Sequence, residues 1–178
     1  MITGLYLYIN EVLIERKNIS LENNKIEYTL ANQISYKYEN KGDLYDVIIS
    51  IPQINLKKGI YKKSDKRNNI SESIMIHKDS IYPNMDYSNV ILIAHSGNSD
   101  ISFFKDLNKL NEDSLIEFYY KHVKYVYKID NWYDVDKTGS VEIIKNNDKK
   151  CVTLITCNQV DKTKQTIYIG YLIDEVNY

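Results

Sequence analysis

The sequence predicts a mainly β domain, a mostly antiparallel barrel of seven or eight strands that is closed or nearly closed. Short runs of apolar and β-branched residues recur from residue 46 onwards. The helical patterns of ten or more residues that a doubly wound α/β fold places between its strands do not occur in this region. Seventeen Tyr, with only two Pro and six Gly, also favour strands over a loop-rich or disordered chain.

The predicted elements follow one another at short intervals. The runs predicted to be strands are residues 47–51, 54–56, 89–94, 115–120, 123–129, 141–144, 152–156 and 166–173. Lys121 and His122 separate two of these runs and therefore predict a hairpin. Apolar residues at positions 103, 104, 107 and 110 predict one short amphipathic helix.

The length of 178 residues fits a single core, and we expect residues 46–178 to form that domain and residues 1–45 to be an N-terminal extension. The apolar start, residues 1–9, is interrupted by Asn10 and Glu11 well before the ~18 residues that a membrane span requires. Two interpretations remain open. The segment is either a helix or strand packed on the domain, or the remaining end of a longer membrane anchor.

The overall charge argues against several classes of protein. Twenty-three basic and 24 acidic residues leave a net charge of -1, so no global basic field favours nucleic acid. A Gly-rich phosphate loop does not occur in the sequence. Two cysteines and three scattered histidines argue against a structural zinc site, and we predict no metal or cofactor.

Both cysteines lie in one apolar run, residues 151–157. In a strand at about 3.3 Å per residue they are roughly 20 Å apart, which excludes a disulfide between them. Cys151 is expected to be a buried, inert thiol. Cys157 differs, because it ends the run just as His95 follows another predicted strand, and imidazole is the usual group that activates a thiol. If the two strands are not neighbours, Cys157 is a structural residue as well.

Several segments resemble the sortase family. Thr153-Leu154-Ile155-Thr156-Cys157 resembles the family's TLxTC signature, and Ile93-Ala94-His95-Ser96 resembles its strand-terminal histidine motif. Residues 51–56 are similar to its IPxIxL strand, and Phe103-Phe104-Lys105-Asp106-Leu107 is similar to its F-x-x-L helix. Residues 167–172 have the apolar pattern of its last strand, so the resemblance spans roughly residues 46–175 in order.

The resemblance implies a sortase β-barrel and a two-step acyl transfer by a cysteine transpeptidase. Cys157 would attack a carbonyl of an LPxTG-like sorting signal, and His95 would protonate the leaving amine and deprotonate the incoming one. Thr156 would help to fix the thiol or the bound acyl group, and Ala94 and Ser96 are expected at the substrate-binding site. The implied partners are surface proteins with a C-terminal sorting signal and an amine of a peptidoglycan precursor or pilin.

One catalytic position departs from the family pattern. The family has an arginine near the start of its last strand, and the resemblance aligns Gln165 there. The chain holds only Arg16 and Arg67, both far upstream of Cys157. Gln165 retains a hydrogen-bond donor but lacks the charge, and a strand would point the adjacent Lys164 to the other face. We predict an active enzyme with Gln165 as the donor. The alternatives are a catalytically impaired module that binds sorting signals and an unrelated β-barrel interaction module.

The resemblance also implies the outer face of the plasma membrane, usually reached through an N-terminal anchor. An Asp-Pro-aromatic lid of the kind many pilin sortases carry does not occur in the sequence, which favours anchoring over pilus assembly. His77 and His122 are expected to be solvated, and Trp132 to line the core or groove. Asp134 and Asp136 would be weak candidates for a calcium site.

Overall fold

The structure is a computed structural model and describes residues 18, 22, 23, 26 and 44–177. The chain divides into two compact units, Met1–Leu44 and Tyr45–Tyr178, and all strands below belong to the second unit. The predicted N-terminal extension, residues 1–45, falls almost wholly outside the described residues and stays a prediction. Among the residues that are described, none of the helices has the length and hydrophobicity that crossing a membrane requires.

Eight strands lie within residues 44–177: β1 (Val47–Ile51), β2 (Leu56–Ile60), β3 (Met75–Ile76), β4 (Asn89–Ile93), β5 (Leu115–Tyr120), β6 (Val123–Asp136), β7 (Cys151–Cys157) and β8 (Lys164–Asn177). They form one sheet in the order β2-β1-β5-β6-β8-β7-β4-β3. Every neighbouring pair is antiparallel except β4 and β7, which run parallel. The sheet is a nearly closed barrel, so the predicted mainly β fold is confirmed.

The inner face of the barrel holds the main hydrophobic core. Val90 and Leu92 of β4 and Val152 and Leu154 of β7 contribute to it, and each is fully buried. Because side chains alternate along a strand, every second residue of these strands lies on the opposite face. This alternation decides which residues can meet at the ends of the strands.

The outer face carries a second, smaller cluster. Its buried members are Ile91, Ile155, Ile167 and Ile169, which come from β4, β7 and β8. Half-buried residues of β6 and of the β6–β7 connection pack against them. Strands β4 and β7 are therefore apolar on both faces, which is why they read as continuous apolar runs in the sequence.

The β5–β6 hairpin turns through Lys121 and His122, as predicted. Their φ angles are 49° and 65°, both in the left-handed region. Two consecutive residues with positive φ are typical of a two-residue type I′ turn, whose twist matches that of the flanking strands.

The predicted helix over residues 103–110 is wrong. The structure has successive turns and one short 3₁₀ helix, Leu107–Lys109. Phe104, Leu107 and Leu110 are buried at a spacing of three residues, and the backbone bonds run from Leu107 N–H to the Phe104 carbonyl and from Leu110 N–H to the Leu107 carbonyl. A period of three suits a 3₁₀ helix rather than an α-helix.

The predicted strand over residues 54–56 is also wrong in part. Residues Pro52–Ile54 form a 3₁₀ turn, and Asn55 follows with a φ of 52° before β2 starts at Leu56. Proline favours the first turn of a helix, and asparagine tolerates the left-handed conformation. These two residues therefore interrupt what looks like a continuous apolar run.

Candidate active site

Cys157 is the last residue of β7 and lies on the outer face. Its neighbour two positions earlier, Ile155, belongs to the outer-face cluster, so the alternation places the Cys157 side chain beside that cluster. Cys157 is a free, partly exposed thiol. Cys151, at the other end of the strand, is also free but fully buried, and burial raises the pKa of its thiol to about 11. Only one of the two thiols is therefore accessible.

His95 lies two residues beyond the end of β4, at the level of Cys157. The parallel pairing of β4 and β7 makes Ile93 the partner of Ile155. Continuing that register by two residues brings the backbone of His95 beside that of Cys157, because adjacent strands lie about 4.8 Å apart. The sequence alone did not show that these strands are neighbours.

Three hydrogen bonds surround His95, and two of them join the ends of β4 and β7. The Thr156 hydroxyl donates to the carbonyl oxygen of Ala94 over 2.8 Å, and the Ser96 hydroxyl donates to the carbonyl oxygen of Cys157 over 2.6 Å. On the other side, the Phe104 N–H donates to the carbonyl oxygen of His95 over 2.9 Å. The residues before and after His95 are thus both tied to the end of β7.

Gln165 faces Cys157 across β7 and β8. The two residues are direct Cα partners in the antiparallel ladder. Directly opposite residues project to the same face with Cβ atoms about 4.5–5.5 Å apart. Lys164 pairs instead with Asp136 and projects to the other face, as expected. The structure thus brings Cys157, His95 and Gln165 to one edge of the sheet.

Arg67, the chain's one arginine within the described residues, is engaged elsewhere. It forms a 2.7 Å ion pair with Asp65 and lies over the ring of Tyr61. Its hydrogen bonds hold the pKa of the Asp65 carboxyl at about 2. Among the described residues, the position facing Cys157 therefore offers an amide and not a guanidinium.

Thr156, Ala94 and Ser96, which the sequence suggested for substrate binding, are all buried, with exposures of 5%, 4% and 6%. Their described polar contacts link the strand ends to each other. A role in contacting substrate stays a prediction. Their observed contribution is to hold the segments that carry His95 and Cys157.

A strap, residues 141–146, lies over the outer face. Val141 and Ile143 are half-buried against the outer-face cluster, whereas Glu142 and Ile144 are exposed. The Ile144 N–H donates to the Tyr133 hydroxyl over 2.7 Å, and that hydroxyl donates to the Glu142 carbonyl over 3.2 Å. The strand predicted over residues 141–144 is therefore wrong. The alternation of buried and exposed side chains reflects packing on the outer-face cluster. The backbone of the strap, however, is bound by the Tyr133 hydroxyl and not by a neighbouring strand.

The β7–β8 loop contributes residues that the sequence analysis did not single out. The Asn158 side chain donates to Asp134 over 2.9 Å, and the Thr166 hydroxyl donates to the same carboxylate over 2.7 Å. The next residue, Gln159, binds the segment that follows His95. The sequence shows only that polar residues follow Cys157. The partners of those residues depend on which strands meet.

Metal binding finds no support in the described part of the chain. No group of three or more His, Cys, Asp or Glu residues there is placed to hold an ion. Asp134, one of the two weak calcium candidates, is already bound by Asn158 and Thr166.

Trp132, which was expected to line the core or groove, is 45% exposed and stacks on Tyr168.

Comparison with known proteins decides the family. A family model described as Sortase domain matches residues 49–172, about 70% of the chain. The chain belongs to the sortase family. The match covers both strand-terminal motifs and all of β7, so the resemblance inferred from the sequence is confirmed. Anchoring of proteins to Gram-positive cell walls is typical of sortases. The comparison with curated proteins found no match.

Solved sortase structures share the fold. Sortase A of Listeria monocytogenes is 21% identical, with a TM-score of 0.62 over 76% of this chain and 92% of that one. The Group B Streptococcus Pilus Island 1 sortase C2 is 20% identical, with a TM-score of 0.65 over 85% and 98% of the two chains. Sortase C of Streptococcus pneumoniae is 14% identical, with a TM-score of 0.65 over 85% and 87%. Identities this low support the fold alone.

Proposed function

We propose that this sortase is an active cysteine transpeptidase, with Cys157 as nucleophile, His95 as general acid and base, and Gln165 as oxyanion donor. The observation that carries the proposal is the convergence of three strand ends. Cys157 faces Gln165 in the β7–β8 ladder, and the hydrogen bonds of Thr156 and Ser96 hold His95 level with Cys157. A nucleophile beside an imidazole and a donor is the arrangement that thiol acyl transfer requires.

The reaction proceeds in two steps. The Cys157 sulfur bonds to the carbonyl carbon of the substrate, the peptide C–N bond breaks, and His95 gives a proton to the departing amine. An acceptor amine then attacks the thioester, its proton passes to His95, and the Cys157 thiolate leaves. The side-chain N–H of Gln165 donates to the negative oxygen that forms in each step.

The proposed acyl donor is an LPxTG-like sorting signal at the C-terminus of a surface protein. The proposed acceptor is an amine of a peptidoglycan precursor or of a pilin. Membership of the sortase family supports both, and the names of two of the structural relatives refer to pili or pilins. The enzyme would work at the outer face of the plasma membrane, held by the family's usual N-terminal anchor.

A second candidate function has one observation in its favour. The resemblance to the family aligns Gln165 with an arginine, and an amide stabilises an oxyanion less than a guanidinium because it carries no charge. A sortase impaired in this way would still bind sorting signals. We favour the enzyme, because the proposed nucleophile and base are both retained at adjoining strand ends.

The test is cleavage of a panel of LPxTG-like peptides with an added amine. The wild type should cleave at least one peptide and form the transamidated product, and Cys157→Ala and His95→Ala should each abolish both. Cys151→Ala, which changes the buried thiol of the same strand, should retain activity. Binding of peptides without any cleavage would support the impaired module and would contradict the enzyme.

A further inference from the structure

The side chain of Gln159 bridges the β7–β8 loop and the segment that carries His95. Its Nε2 donates to the carbonyl oxygen of Ser96 over 3.1 Å and to the carbonyl oxygen of Lys105. Its Oε1 accepts a hydrogen bond from the Asn108 side chain over 3.0 Å. The two carbonyl groups only accept hydrogen bonds, so the orientation of the Gln159 amide is fixed by its partners. Both amide hydrogens are used.

The two carbonyls that Gln159 binds belong to chain segments that already hold His95. Ser96 follows His95 directly, and Lys105 follows Phe104, whose N–H donates to the carbonyl of His95. The Gln159 amide therefore binds both chain segments that the bond between Phe104 and His95 joins. Without its two donor bonds, the chain on the C-terminal side of His95 would keep only the bond from the Phe104 N–H and that from the Ser96 hydroxyl to the Cys157 carbonyl among the contacts described above.

The Gln159 amide is also connected, through Ser96, to the backbone of Cys157. The Ser96 hydroxyl donates to the carbonyl of Cys157, and the Ser96 carbonyl accepts from Gln159, two residues beyond Cys157. The loop that carries Gln159 is itself held by hydrogen bonds. Asn158 Oδ1 accepts hydrogen bonds from the N–H groups of Val160 and Asp161 over 2.9 and 2.8 Å, which rigidifies the loop.

We propose that Gln159 is a positioning residue that holds His95 at the working distance from Cys157 through its two backbone carbonyl contacts. The proposal rests on the proposed function, because it assigns those two residues the base and the nucleophile. A positioning role for Gln159 also goes beyond the family assignment. Gln159 acts through the backbone of Ser96 and Lys105 and touches neither the substrate nor the reacting atoms.

The test compares Gln159→Ala and Gln159→Glu with the wild type. Alanine removes both donors without adding a charge, and glutamate keeps the shape but offers a carboxylate to two carbonyl oxygens. We expect kcat for peptide cleavage to fall at least about tenfold in both variants, since small misplacements of reacting groups are costly. KM should stay within about twofold, because substrate contacts are unchanged. Asn147→Asp, which adds the same charge to an exposed amide near the other end of β7, should leave kcat unchanged.

A second measurement is independent of the substrate. The rate at which iodoacetamide alkylates Cys157, followed by peptide mass, should fall at least about threefold at neutral pH in both Gln159 variants, because a displaced imidazole favours the thiolate less. Thermal unfolding midpoints within a few degrees of the wild type would exclude simple loss of folded protein.

The outcomes separate the two proposals. Values of kcat within twofold of the wild type, or a raised KM with kcat retained, would overturn the positioning role. If the wild type cleaves no peptide, the proposed function fails, and the alkylation rates then decide on Gln159 alone. An alkylation rate that neither variant changes would overturn the proposal in that case.

Discussion

The Thr156 hydroxyl donates a 2.8 Å hydrogen bond to the carbonyl oxygen of Ala94 and so joins β7 to the residue that precedes His95. Thr156 precedes Cys157, so one buried bond connects the neighbours of both proposed catalytic residues. This bond lies on the side of the strand opposite the Cys157 side chain, because adjacent residues of a strand point to opposite faces.

Replacing Thr156 with valine keeps the shape of the side chain and removes the hydroxyl. We expect a loss of about 1–3 kcal/mol in the free energy of unfolding, since the buried Ala94 carbonyl loses this donor. Peptide cleavage should fall as well, because His95 is held less firmly. Urea unfolding and cleavage rates measure the two effects. Thr156→Ser, which retains the hydroxyl, is the matched control, and a serine variant as impaired as the valine variant would contradict this explanation.

Gln165 gives the sharpest test of the oxyanion donor. Gln165→Ala should lower kcat by about 10²- to 10³-fold, the usual effect of losing one donor. Gln165→Arg should restore cleavage to at least the wild-type rate, because the guanidinium adds charge to the same position facing Cys157. Steady-state kinetics on one cleaved peptide is the measurement. Equal rates for the wild type and the alanine variant would rule out a role for the Gln165 amide.

The two thiols should react very differently with alkylating agents. Burial raises the pKa of Cys151 to about 11, whereas Cys157 is partly exposed at the end of β7. At pH 7–8 we expect iodoacetamide to label Cys157 in the folded protein and to label Cys151 only after denaturation. Mass spectrometry of the digested protein distinguishes the two sites. Labelling of Cys151 at a rate similar to that of Cys157 in the folded protein would contradict the burial of the Cys151 thiol.

Gly59 tests the packing at the edge of the barrel. A Cβ atom at this position would clash with the ring of Tyr45, which is buried. Gly59→Ala should therefore destabilise the fold by about 1–3 kcal/mol through overpacking. Gly97→Ala is the control, since its Cβ would meet only Ser102 Oγ at 3.5 Å. Denaturant unfolding curves report both effects, and equal stabilities of the two variants would show that the Tyr45 ring yields at no cost.

Alkaline pH should weaken the fold through its buried tyrosines. Burial raises the pKa of Tyr168 from 10.0 to about 12, with a further contribution from Asp134. As the pH rises above 10 the unfolded chain loses this proton first, so stability falls between pH 10 and 12. Tyr168→Phe should reduce that fall in urea midpoints measured at pH 9 and 11. Burial raises the pKa of Tyr82 and Tyr127 in the same direction, so part of the fall should remain. An unchanged pH dependence in Tyr168→Phe would show that this hydroxyl titrates normally.

The short elements show where local pattern misleads. Residues 103–110 have apolar positions that fit an amphipathic helix, but the three buried ones repeat every three residues and form 3₁₀ turns. The strap over residues 141–146 alternates as a strand does, yet it packs on the outer face without a strand partner. In both segments the sequence correctly indicates which side chains are buried. It does not predict the backbone hydrogen bonds, because those bonds depend on which neighbouring groups are present.

The sequence by itself determined the mainly β fold, the family and the two strand ends that carry His95 and Cys157. It also determined that no arginine follows Cys157, since composition and order need no structure. The tertiary structure alone decided that β4 and β7 are parallel neighbours and that Gln165 faces Cys157. It also revealed the bridge made by Gln159. The physical reason is that periodicity records which face of a strand is buried, whereas pairing and register depend on hydrogen bonds and packing between segments far apart in the chain.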